Sequence, residues 1–287
     1  MSRKTVVITG GSSEGAQAAA VAAAKAGANV VLLSRSVQRG EAARDEVIKR
    51  SRSNEVHLIV GDLALRSSAR EIARQLTGAF PAIAALIHHG VYHQLRKQTR
   101  ELTEDGVERF WAYNHIGPFR LTHLLKDALI KGKGRVLVVG STRLKVYPRL
   151  QVYLDDPEFT TRSFSPTRAF YQAKLAQLQF ALAFERHWAG TGVIAKALCV
   201  PALGVDPSRR SELPWYRRLA HVVPGGSGLT LQKLGELYTV AALSPAVAKI
   251  PAVHVDHRLL EAWAPIAAFD VKQQDALWAL SMRALAD

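Results

Sequence analysis

Residues 4–27 constrain this chain more than any other stretch. Lys4-Thr5-Val6-Val7-Ile8-Thr9 is a β-branched run of the kind that fills a buried parallel strand. Gly10-Gly11-Ser12-Ser13 interrupts it, and the alanine-rich stretch 16–26 then reads as a helix stopped by Gly27. Strand, glycine turn and helix in this order aim backbone N–H groups and a helix N-terminus at one point, which suits a phosphate. The spacing departs from the usual glycine fingerprint, because Glu14 and Ala16 stand where a second and third glycine would follow Gly10. Alanine is tolerated at the third place. A carboxylate ~6 Å from a phosphate charge, however, costs roughly 2–3 kcal/mol at an effective dielectric of about 20. Glu14 therefore weakens the site unless its side chain turns to solvent.

Strand and helix continue to alternate. Further strands are expected at 28–33, 55–60, 83–88, 135–139, 193–200 and 251–255. Helices are expected at 38–50, 66–76, 167–188 and 271–285, with one long helix over 103–129 whose positive end suits Glu104 and Asp105. No repeat, low-complexity tract or linker divides the chain. The economical architecture is α/β: one domain, residues 1–287, built on a doubly wound parallel sheet of about seven strands flanked by helices. Substrate loops are expected at about 142–168 and 203–230. In such a sheet ligands bind outside the carboxyl ends of the strands, so the residues just after each strand carry the chemistry.

Composition excludes several classes. Hydrophobic content of 48% is ample for a core, yet no apolar run approaches the ~18 residues of a membrane span, since Lys25 breaks the longest. Met1-Ser2-Arg3-Lys4 runs straight into the first strand and leaves no room for a signal peptide. Cys199 is the only cysteine, which rules out an internal disulfide and a cysteine-rich zinc site. A cytoplasmic protein without a membrane anchor is expected. Net charge is +14, but no run of five basic residues and no nucleic-acid motif accompanies it. The charge reads as a solvated basic surface, with no nucleic-acid partner.

Strand two ends in Ser34-Arg35-Ser36, with Arg39 close behind and no carboxylate to hold a ribose 2′-hydroxyl. Arginines there would fork onto a 2′-phosphate, which favours NADP over NAD. The plain alternative is an ordinary basic helix start. Asp62, after strand three, suits an adenine amino group, with Leu63 against the ring; an Asp after Gly is also a common turn. Further on, Asn114 lies in Tyr113-Asn114-His115-Ile116-Gly117, Ser141 follows strand five, and Lys174 lies in Phe170-Tyr171-Gln172-Ala173-Lys174. With the first turn and Arg35, this set resembles the short-chain dehydrogenase/reductase (SDR) family, whose fold is of the Rossmann type. Tyr153-Leu154-Asp155-Asp156 and Ala276-Leu277-Trp278 with Ser281 are similar to segments of its retinol dehydrogenase and protochlorophyllide reductase branch. The resemblance covers nearly the whole chain and is ungapped over the first 35 residues.

The resemblance implies hydride transfer with NADP(H), served by a serine, a tyrosine, a lysine and an asparagine. Ser141 would bind the substrate oxygen, Lys174 the nicotinamide ribose, and Asn114 a water relay. The cofactor contacts it implies are Gly10, Ser12, Ser13, Glu14, Gly15, Arg35, Asp62, Leu63, His89, Gly90, Lys174 and Pro201, with no metal. The tyrosine place, four before Lys174, holds Phe170, which has no proton to give. The general acid–base contribution, about 10²–10⁴-fold, is therefore missing from its usual position. Tyr171 lies about 100° further round the helix and reads as a packing residue. Tyr147, His93 or water held by Lys174 are the other proton sources. His88-His89-Gly90-Val91 replaces the family's Asn-Asn-Ala-Gly, and Pro201-Ala202 its Pro-Gly. The imidazoles would pack on the adenosine ribose; adjacent strand residues face opposite sides, which argues against a metal pair.

The loops at the carboxyl edge are basic: Arg96, Lys97 and Arg100; Arg143, Lys145, Arg149, Arg162 and Arg168; then Arg209, Arg210, Arg217 and Arg218 interleaved with Trp215 and Tyr216. Clustered cations suit a small-molecule substrate of anionic or large aromatic character, a generally basic surface being the plain alternative. Three functions follow: an oxidoreductase for a carbonyl/alcohol pair, an SDR scaffold turned to a non-redox step such as cyclisation or dehydration, and a non-catalytic NADP-binding or scaffold protein. A homo-oligomer is compatible with each.

Overall fold

The computed structural model describes residues 3–201 and 229–286. The β-branched runs form a seven-stranded parallel sheet: β1 (Thr5–Thr9), β2 (Asn29–Ser34), β3 (Val56–Val60), β4 (Ala85–His88), β5 (Arg135–Ser141), β6 (Ile194–Val200) and β7 (His254–Asp256). Their order is β3-β2-β1-β4-β5-β6-β7. Winding runs outward from β1 in both directions, so connections leave the β1 and β4 carboxyl ends towards opposite faces and open a crevice between them. Every residue of β1 is buried, as expected of a central strand covered by helices on both sides.

One helical layer contains α1 (Glu14–Lys25), α2 (Val37–Ser51) and α8 (Leu231–Leu243). The alanines of α1 have a packing reason. Ala16, Ala19, Ala20 and Ala23 are buried, and α8 approaches so closely that a Cβ on Gly235 would run into the Ala18 carbonyl. The spacing of Leu234, Leu237, Tyr238 and Ala241 marks a helix that the sequence analysis above did not assign; Thr230 caps it by accepting from Lys233 N–H at 3.2 Å. The opposite layer contains α3 (Arg66–Ala79), α4 (Arg109–Trp111), α5 (Gly117–Leu124), α6 (Lys126–Lys131), α7 (Pro166–His187) and α9 (Val271–Ala286).

The single long helix expected over 103–129 is replaced by three short ones. The chain remains irregular up to Glu108, whose carboxylate accepts from Phe110 N–H (2.9 Å) and Trp111 N–H (2.8 Å) and so starts α4 there. A π-helical turn, Ala112–Ile116, joins α4 to α5, and the helix breaks again at Leu125. Asp105 serves a different helix, accepting from Arg66 N–H at 2.6 Å at the start of α3, where Leu65 offers no side-chain cap. The last strand also shifts, from 251–255 to His254–Asp256, and the chain folds back as an antiparallel bridge from Val255 to Glu261. That bridge covers the outer edge of β7.

The long connection after β5 is a folded unit. Buried Asp156 accepts from the backbone and hydroxyl groups of Thr160 and Thr161 and from Arg162, whose guanidinium lies 4.0 Å over the Tyr153 ring and 4.3 Å over Phe159. Gln172 of α7 fastens it by donating to Pro157 O at 2.7 Å. The second expected loop, 203–230, lies outside the described residues except for its last two.

Candidate active site

A cavity of about 420 Å³ opens at the β1/β4 crevice. Gly10, Ser12, Ser13, Arg35, Arg39, Asp62, Leu63, His89, Gly90 and Tyr113 are in its wall. Gly10 has φ +68°, and a Cβ there would lie 2.6 Å from Gly90 Cα, so the turn must be glycine for the β1 and β4 ends to meet. Ser13 is the N-cap of α1 but provides no side-chain cap; its hydroxyl donates back to Gly10 O at 2.9 Å and lies 3.2 Å from His89 Nδ1. The first amide groups of α1 are thus left without a side-chain acceptor beside the cavity, the arrangement that receives phosphate.

Four members of the expected contact set lie outside the wall: Lys174 and Pro201, described below, and Gly15 and Glu14. Gly15 meets a side chain of the protein itself: a Cβ there would fall 2.6 Å from His89 Nε2. Glu14 is the first residue of α1, exposed and absent from the cavity lining. The repulsion expected of it is therefore screened by water. Glu14→Gly should change NADPH affinity by about twofold or less, well below the tenfold that ~1.4 kcal/mol would give; a calorimetric titration showing tenfold tightening would put the carboxylate back at the phosphate.

At the β2 end, Ser34 Oγ donates to Ser36 O (3.0 Å), and Ser36 Oγ caps α2 by accepting from Arg39 N–H (3.3 Å). The first turn of α2 contains no acidic residue. Arg35 lies over the Tyr113 ring at 4.6 Å, and the Tyr113 hydroxyl donates to Asp62 Oδ2. Asp62 Oδ1 accepts from Ala64 N–H at 3.0 Å. Burial, followed by the Asp62 carboxylate, raises the Tyr113 pKa. Sequence reasoning missed Tyr113; its only signal was a large ring beside Asn114.

The second cluster lies beyond the cavity wall, around α7. Lys174 is buried, and its Nζ donates to Val139 O and Gln177 Oε1, both at 2.9 Å. Burial lowers its pKa to about 8. His88 is fully buried with Nε2 2.8 Å from Thr122 Oγ1; burial and the Lys174 charge lower its pKa to about 3, so it stays neutral. His88 does not line the cavity, whereas His89 does. Asn114 is in the π-helical turn and uses its whole amide on the backbone. Its Oδ1 accepts from Tyr92 N–H, and its Nδ2 donates to Tyr92 O and Phe110 O, each at 3.0 Å. It thereby clamps the segment after β4. Phe170 is buried one helical turn before Lys174, with the His93 ring edge-on at 4.7 Å. Tyr171 packs on Phe170 at 5.1 Å, while Tyr147 sits against Tyr171 at 4.5 Å. Of the two side chains considered as proton sources, His93 is the one in ring contact with position 170. Ser141 ends β5 opposite Val200, and Pro201 follows β6, outside the wall.

Several cations of the basic loops already have structural partners. Arg162 is held by Asp156, Lys97 by Glu101 at 2.6 Å, and Arg100 donates to Glu158 O at 2.7 Å. These three belong to the loop scaffold, which lessens the charge left for a ligand. Arg209, Arg210, Arg217, Arg218, Trp215 and Tyr216 lie outside the described residues.

A parallel sheet wound in this order, with a glycine-turn cavity at its switch point, defines a dinucleotide-binding α/β domain. Residues 4–153 match the family model described as short chain dehydrogenase, and the chain belongs to that family of nicotinamide-dependent oxidoreductases. It is 28% identical to human retinol dehydrogenase 13 over 88% of this chain and 71% of that protein. It is 35% identical to human dehydrogenase/reductase SDR family member 13 over 75% of this chain, but spans only 56% of that relative's length. The crystal structure of an uncharacterised protein from Mycobacterium paratuberculosis superposes with a TM-score of 0.71 at 26% identity, covering 99% of this chain and 94% of that one. Among the described residues, no helix is long and apolar enough to cross a membrane.

Proposed function

We propose that the chain binds NADP(H) and oxidises or reduces a carbonyl/alcohol pair in a fairly large small-molecule substrate of anionic or aromatic character. The observation that carries the cofactor choice is the end of β2, where Arg35 and Arg39 line the cavity and no carboxylate follows the strand. The cavity fits the adenosine diphosphate half of such a cofactor, given the uncapped start of α1 and the glycine contact at Gly10. When bound, NADP(H) supplies or accepts the hydride. Ser12 and Ser13 hold the diphosphate, Arg35 and Arg39 the 2′-phosphate. Ser141 would orient the substrate oxygen, and Lys174 would hold the ribose with the N–H that Val139 O and Gln177 leave unused. The proton at the substrate oxygen comes from His93, Tyr147 or water held by Lys174, since Phe170 has none.

The pairing of Lys174 with Val139 and Gln177, beside Phe170, also supports a second reading. In it the scaffold performs a non-redox step such as cyclisation or dehydration, or binds NADP(H) without turnover. A thermal-shift titration separates these readings when followed by product analysis. A 100-fold excess of NADPH over its Kd should add ~2.7 kcal/mol of stability. Arg35→Asp should weaken NADPH at least tenfold and NADH much less. Equal loss of both cofactors, or tighter NADH binding by the unmutated chain, would reject the NADP(H) assignment.

A further inference from the structure

We infer that Tyr113 sets the preference of this cavity for a 2′-phosphate, by fixing Arg35 over its ring and keeping the Asp62 carboxylate engaged. The inference rests on the NADP(H) reading above and assigns it a residue that the motifs do not name. Three segments meet at this point: the end of β2, the turn after β3 and the π-helical turn between α4 and α5. Arg35 is exposed, and an exposed arginine ordinarily samples many rotamers, which a bound phosphate must freeze. Here its guanidinium already lies 4.6 Å over the Tyr113 ring. The guanidinium is thus held at the ring and by the Tyr113 hydroxyl, and its remaining N–H groups are left for phosphate oxygens.

Asp62 is the hazard in the same wall, because a carboxylate repels a 2′-phosphate carrying up to two charges. Both its oxygens are already met by donors: Oδ1 by Ala64 N–H and Oδ2 by the Tyr113 hydroxyl. One side chain thus places the cation and restrains the anion. The ring is itself supported from behind. Tyr92 stacks on it at 5.2 Å with a 17° interplanar angle, and Asn114 holds the Tyr92 backbone from both its N–H and its C=O. In this structure the Asn114 side chain therefore serves the adenosine end of the cleft.

A cofactor with a free 2′-hydroxyl needs neither effect, so discrimination is the readout. In calorimetric titrations, Tyr113→Leu should raise the Kd for NADPH about tenfold and the Kd for NADH less than twofold. Tyr113→Phe retains the ring but frees Asp62, so its Kd for NADPH should fall between those of the unmutated chain and Tyr113→Leu. With Arg35→Met already in place, Tyr113→Leu should change the NADPH/NADH ratio much less than it does in the unmutated chain, since only the restraint on Asp62 is left to lose. If Tyr113→Leu misfolds, Tyr113→Gln removes the same ring face and is read in the same way. Equal weakening of both cofactors would make Tyr113 a plain wall residue and overturn the inference, as would no change in either. An unmutated chain that prefers NADH overturns the inference together with the NADP(H) reading. Failure of the Tyr113 variants alone leaves that reading standing.

Discussion

Phe170→Tyr is expected to create NADPH-dependent reduction of simple aromatic carbonyls, or to raise it by 10²-fold or more. The substitution returns a phenol to the position one helical turn before Lys174 in α7. General acid–base catalysis contributes 10²–10⁴-fold, so the lower figure already allows for imperfect placement. The ring is buried with His93 edge-on at 4.7 Å, so the added hydroxyl enters a site that already accommodates its carrier. Lys174 uses two of its three N–H groups on Val139 O and Gln177 Oε1, and its charge one helical turn away would lower the pKa of that phenol. Suppose the unmutated protein already reduces carbonyls and the tyrosine adds nothing. Another residue then supplies the proton, and His93→Ala and Tyr147→Phe identify it. If both forms bind NADPH but neither turns over, the reductase reading fails and a binding or non-redox role takes its place. If neither binds NADPH, only the family assignment survives.

The second large effect concerns stability against pH, through Glu108. This side chain caps α4 yet is only 1% exposed, and burial raises its pKa to about 7. The N–H groups of Phe110 and Trp111 oppose that shift, while the nearby Glu158 carboxylate adds to it. The folded chain therefore holds this proton more tightly than the unfolded chain does. Its contribution is fully present below about pH 4.5 and is lost as pH rises through about 7. A shift of this size corresponds to roughly 3 kcal/mol at most. Glu108→Gln cannot ionise, so between pH 5 and pH 8 it should escape a loss of up to ~3 kcal/mol that the unmutated protein suffers. Urea melts at the two pH values give the comparison. Parallel pH dependence in both proteins would show that Glu108 stays ionised throughout.

The frame of this fold was legible because a parallel sheet requires β-branched runs at regular intervals, and nothing else explains Val6-Val7-Ile8 or Val30-Val31-Leu32. The glycine turn was legible for the same local reason, since Gly10 answers to its own φ. Where local pattern was ambiguous, sequence reasoning failed. Residues 103–129 carry apolar spacing throughout, and only the Glu108 cap and the π-helical turn break the helix, both of which are settled by packing. Segment 231–243 follows a tract of turn residues and was not recognised as a helix. Tyr113 was invisible for a deeper reason: its value depends on Arg35 and Asp62, 78 and 51 positions away in the chain, and no periodicity reports that meeting. Lys174 was placed by the family resemblance and Phe170 by its spacing from Lys174, whereas the hydrogen bonds of Lys174 to Val139 and Gln177 were not legible.

The contact between Gly15 and His89 ties the start of α1 to the segment after β4. A methyl group at position 15 would meet the far end of the His89 side chain, so Gly15→Ala makes the imidazole shift and perturbs its contact with Ser13. Once His89 is replaced by a shorter side chain, the same methyl group enters a gap and costs little. The two positions are therefore coupled, because the space open to a side chain at 15 depends on the imidazole at 89.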